Sequence, residues 1–182
     1  MRRIKTMPLF LAALVAALLA VPAAASAVQW TEGGQPLQGS AEIELTGSLE
    51  WTAFSQVGYY CEYAATATIS PGDDGQITDV DFTFCEGRGN YSGMPATGTA
   101  LSLPWDIHAQ SDGKIHLDEF VLEVDWQYAG SMTTQSDQLT ILPNDASEMS
   151  SGWLSGTAWA GGAGAWMSGE MTISPEGTYG FE

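Results

Sequence analysis

Basic residues are scarce in this chain. Of its five lysines and arginines, Arg2, Arg3 and Lys5 fall at the very start, which leaves Arg88 and Lys114 to face 22 acidic residues. Once the leader described below is removed, two positive charges against 22 negative ones give a net charge of −20. Such a chain repels phosphate backbones and anionic bilayers, so nucleic-acid binding and membrane-surface binding are excluded as functions. Helical periodicity is also missing beyond the leader, and long apolar runs are absent there too, which argues against helical bundles and membrane-spanning helices. Recognisable catalytic signatures are wanting as well. There is no nucleophile elbow, no HExxH, no phosphate-binding loop and no serine placed by a motif near a histidine. Paired carboxylates such as Asp118 and Glu119 mean little among so many acids. The chain is therefore expected not to be an enzyme.

The residues that are present describe an exported β-domain. The opening MRRIKTMPLFLAALVAALLAVPAAASA has a basic start, an apolar middle and a small-residue cleavage site at Ala25-Ser26-Ala27. This is the pattern of a secretory signal peptide over residues 1–27, with a single domain over 28–182 and a soluble extracellular product. Disorder is excluded despite the charge, because 45% of residues are apolar and the acids alternate with them instead of forming blocks.

Alternation is the dominant pattern. Ala41 to Leu45 reads apolar-acidic-apolar, and Leu49, Trp51 and Ala53 share a face after Thr46-Gly47. Trp105, Ile107 and Ala109 alternate with polar partners. The phase then shifts at Asp118-Glu119, and Phe120, Leu122, Val124 and Trp126 continue it. The stretches 86–98 and 130–137 read as irregular connections. Trp153–Ala160 and Gly164–Ile173 form a hairpin about Gly161-Gly162, and 177–181 a terminal edge strand. The sum is an all-β fold, an antiparallel sandwich or barrel of nine to ten short strands.

Cys61 and Cys85 are the only cysteines. In an exported chain they are expected to pair, closing a loop worth about 3 kcal/mol on the chain-entropy model. Strand parity opposes this. On a regular hairpin that faces apolar residues together, Cys61 meets Phe84, while Cys85 points the other way with Asp81 and Thr83. The disulfide thus demands a bulge or break beside Cys85.

Three groups are candidates for binding. His108 and His116, the only histidines, flank Ser111-Asp112-Gly113. A three-residue loop with left-handed Gly113 sets His108 opposite His116 and Asp106 opposite Asp118, a possible divalent metal site for zinc or copper; the alternative is a solvated face. Asp73 and Asp74 in a turn, with Asp79 and Asp81 on one strand face, raise calcium, although turn chemistry alone explains Pro71 to Gly75. Among seven tryptophans, Trp51, Trp105 and Trp126 lie on apolar faces. Trp153 and Trp159 share a face with Ser155 and Thr157 and could form a platform for an extracellular glycan.

The leader, an early Trp30 with glycines, Thr46-Gly47, two cysteines 24 apart, Leu103-Pro104-Trp105 and Ser155-Gly156-Thr157 together resemble a group of small secreted actinobacterial proteins. That resemblance implies an exported β-rich chain, and it carries over no catalytic residues. The reading is a non-enzymatic extracellular binding or surface module, with a metal-binding or carbohydrate-binding protein as the alternatives.

Overall fold

The computed structural model describes residues 27–53 and 57–182; the leader lies outside them, save Ala27. Nine strands close into one antiparallel barrel: β3 (Ala41–Ala53), β4 (Val57–Ile69), β5 (Asp74–Gly89), β6 (Pro95–Leu101), β7 (Trp105–Ala109), β8 (Ile115–Trp126), β9 (Gly130–Pro143), β10 (Ser151–Ala160) and β11 (Ala163–Ser174). Except for β6 and β7, each strand pairs with the next in sequence, and β11 returns to β3 to close the ring. β6 and β7 share one position. Both lie between β5 and β8, and the chain breaks between them at Ser102, in the left-handed region, and the cis Leu103-Pro104 bond. The barrel thus has eight strand positions, in an up-and-down order. Sandwich and barrel were both compatible with the alternation, and the barrel is what forms.

Several strands outrun their sequence boundaries. β3 runs straight through Thr46-Gly47, β5 reaches Gly89, β6 begins at Pro95, and β9 includes the 130–137 stretch read as a connection. Small and polar residues hid these strands because closure of the sheet, not local propensity, holds them.

An eight-strand barrel leaves an interior about wide enough for side chains. Here Trp51, Tyr59, Trp105, Phe120 and Trp126 fill it with aliphatic partners from every barrel strand but β6. An interior void bounded by Leu49, Ile77, Phe120 and Met171 among others is about 30 Å³. It holds no more than a water-sized occupant. Burial pushes the Tyr59 phenol above its ordinary range, with the Thr134 hydroxyl pulling the other way. Neither oxygen finds a hydrogen bond of good geometry in the structure.

A second sheet caps one end. β1 (Trp30–Glu32) pairs with β2 (Gln35–Pro36) on one side and with β12 (Tyr179–Phe181) on the other. Trp30 is fully buried. Its backbone N–H donates to the Gly72 carbonyl and its indole N–H to the Asp74 carbonyl, while its ring meets Phe181 edge-on at 5.5 Å.

The required irregularity beside Cys85 is present. Glu62 faces Phe84 but Tyr63 faces Phe82, so Thr83 is an extra residue and Cys85 turns inward directly opposite Cys61, to which it is bonded. A second extra residue, Thr78, re-aims Val80 in the same way. Each bulge threonine donates its hydroxyl to a carbonyl of β4, Thr83 to Glu62 and Thr78 to Thr66. Because Thr83 is the surplus residue, deleting it restores plain alternation and still leaves Cys85 inward. The Thr83 deletion is expected to oxidise fully, with no free thiol on titration in denaturant.

The phase shift at Asp118-Glu119 is absorbed without a surplus residue, since the β8–β9 register is the same on either side of it. Asp118 faces Gln138 and Phe120 faces Ser136, with Glu119 left-handed between them.

Candidate functional site

The β7–β8 hairpin forms as its spacing required. Gln110 and Lys114 bracket a three-residue loop, Gly113 is left-handed, and His108 stands opposite His116. Trp105 and Ile107 are buried. The ligand cluster does not assemble around that pair, however. His108 Nδ1 lies 2.8 Å from Asp74 Oδ1 and its Nε2 3.6 Å from Asp118 Oδ2, so the ring is bracketed by two carboxylates. Asp106 instead accepts a hydrogen bond from the Gln76 amide, and Asp118 accepts another from Gln138. Among the described residues, no three histidine, cysteine, aspartate or glutamate side chains converge in a way that could hold a metal ion. The same holds for Asp73, Asp74, Asp79 and Asp81: Asp74 is taken by His108, and Asp79 and Asp81 pair along β5 with Thr66 and Ala64. Asp74 reaches His108 only because β5 lies beside β7. Its distance in sequence gave no signal of that contact.

The outer surface carries a stronger pattern. Thirteen acidic residues lie on β3–β5, β7 and β8, against two, Asp137 and Glu170, on β9–β11. The acid-poor half instead presents Ser, Thr and Gln together with the tryptophans. Trp153, Trp159 and Trp166 are 44%, 52% and 62% exposed, and Leu142 is exposed beside Trp153. The two lysine or arginine residues among the described residues sit elsewhere. Arg88 pairs with Glu86 and Glu50 and lies 4.8 Å over the Tyr60 ring, and Lys114 pairs with Asp112. The Asp112 carboxyl is held below its usual range, chiefly by its hydrogen bond from Lys114.

Trp153 and Trp159 are both exposed, but six residues of strand place them about 20 Å apart. They belong to two surfaces. Trp159 lies across Gly164, its cross-strand partner; a Cβ there would come within 2.6 Å of its ring. Trp166, two residues further along β11, extends this patch over Thr157, Ala163 and Ala165 at the uncapped end of the barrel. Trp166 was legible in the alternation, since it shares phase with Ser168 and Glu170, but the glycine-rich composition of the hairpin obscured it. Trp153 stands at the opposite end of β10, on the rim of a trough floored by Thr46, Ser48 and Thr172.

The family described as alkane oxidation protein activator PraA/PraB-like matches residues 1–180. No curated protein and no solved structure matches the chain.

Proposed function

Since the chain belongs to the alkane oxidation protein activator PraA/PraB-like family, we propose that it is a secreted, non-enzymatic accessory of alkane oxidation that adsorbs at the hydrocarbon–water boundary. The observation that carries this reading is the division of the barrel's outer surface. Tryptophans crowd the acid-poor half and carboxylates crowd the other. Large apolar side chains exposed together on a soluble domain mark a contact surface. Carboxylates on the far side keep the adsorbed protein wetted and keep neighbouring copies apart. The packed interior argues that alkane is met on the outside of the barrel, since a void of about 30 Å³ cannot hold a chain of that kind. A buried disulfide fits an oxidising compartment outside the cytoplasm.

Half of a tryptophan side chain is about 100 Å², so each of Trp159 and Trp166 brings up to about 2.5 kcal/mol to adsorption. In pendant-drop tensiometry at a hexadecane–buffer interface, the native protein should lower the interfacial tension. The double variant Trp159→Ser/Trp166→Ser should need at least about tenfold more protein for the same effect. Its circular dichroism and thiol content should be unchanged, because both rings lie on the surface. A double variant as surface-active as the native protein would remove the proposal.

A further inference from the structure

We infer that the trough between Trp153 and Tyr60 is a binding site for a neutral glycan chain, separate from the Trp159–Trp166 patch and independent of the interfacial reading. One outward row of residues crosses four strands here. Trp153 on β10 faces Glu170 on β11, Glu170 faces Ser48 on β3, and Ser48 faces Glu62 on β4. The row spans three inter-strand steps, about 14 Å. Trp153 and Tyr60 stand at its margins, and Glu170 lies between them with the small hydroxyl residues Thr46, Ser48 and Thr172 in a concave surface.

The lining selects its occupant. Trp153 offers a half-exposed indole face, against which the C–H face of a pyranose ring can stack. Glu62 and Glu170 supply carboxylate oxygens that accept hydrogen bonds from sugar hydroxyls, the stronger charge-assisted kind. The hydroxyls of Thr46, Ser48 and Thr172 can both donate and accept. Tyr60 is held in place by its hydroxyl, 3.3 Å from Glu62 Oε1, and by Arg88 over its ring. No lysine or arginine lines the trough, and the nearest cation, Arg88, is already paired with Glu50 and Glu86. An anionic polymer would therefore meet unopposed negative charge. A bare alkane would strand two carboxylates against an apolar chain, at the cost of their solvation. A chain of uncharged sugars satisfies both the ring and the acids.

The test follows the indole N–H resonances of the tryptophans by NMR while cellohexaose, maltohexaose and chitohexaose are titrated into the full protein. At least one should shift the Trp153 indole in a saturable way. Trp153→Ala should then lower the affinity about tenfold, and Glu62→Gln/Glu170→Gln by a comparable factor. Trp159→Ala should bind as the native protein does. The inference is overturned if none of the three sugars moves Trp153 at concentrations up to about 10 mM. It is equally overturned if binding is lost with Trp159 instead. Hexadecane adsorption is read separately, so failure of one leaves the other standing.

Discussion

Gly47→Ala is expected to destabilise the barrel by about 3 kcal/mol, near the upper end for overpacking a well-filled interior. A Cβ at this inward position would come 2.0 Å from the Glu170 carbonyl oxygen and 2.9 Å from the Met171 Cα. These are backbone atoms on the neighbouring strand, with no flexible side chain to swing aside. Gly169 meets the same obstacle from the other strand, its Cβ falling 2.1 Å from the Ser48 carbonyl oxygen. The two glycines lie along the β3–β11 seam, where the barrel closes on itself. Strongly coiled strands bring their backbones too close there for any side chain, which is the use of glycine at a barrel corner. The measurement is urea unfolding, with a fall of about 10 °C in Tm as its thermal counterpart. Gly39→Ala is the control: nothing lies within 4 Å of a Cβ there, and it should unfold like the native protein. A Gly47→Ala variant of native stability would mean that the seam can open without cost.

The second large effect is loss of the disulfide. Cys61→Ala/Cys85→Ala should lower stability by about 3 kcal/mol through the freed loop of the unfolded chain. Both sulfurs are buried and contribute to the core, so the alanines also leave unfilled space and the measured loss should not be smaller. Thermal unfolding with and without reductant is the direct comparison. A shift of about 10 °C is expected in the native protein and none in the double variant. If reductant left the native protein unchanged at full thiol exposure, the bond would be ornamental.

The sequence showed what depends on alternation. Buried Trp51, Trp105 and Trp126, the β7–β8 register, the shift at Glu119 and the bulge beside Cys85 all follow from parity along a strand, because side chains must alternate and exceptions must be absorbed somewhere. What it concealed depends on closure. Gly47 looked like a break because glycine weakens an isolated strand, whereas in the ring it is the residue that lets two strands meet. The 130–137 stretch looked like a loop because its inward residues, Thr134 and Ser136, are polar, yet both are buried. The trough draws on β3, β4, β10 and β11, so only the return of β11 to β3 brings Trp153 into one row with Glu62. The pairing of Asp74 with His108 is hidden for the same reason. A local pattern can nominate residues, but the circuit of the barrel decides which of them become neighbours.

The meeting of β1 with β12 also bears on when this protein can fold. Trp30 sits almost at the start of the described chain and Phe181 almost at its end, and they are register partners. Closure of the barrel likewise joins β3 to β11, with Thr46 opposite Thr172. Every hairpin from β3 to β10 can form as it emerges, but the ring cannot shut until β11 arrives, nor the cap form until β12 does. Contacts of such long range make folding slow. A chain synthesised from its N-terminus therefore remains an open ribbon of hairpins until β11 and β12 have emerged.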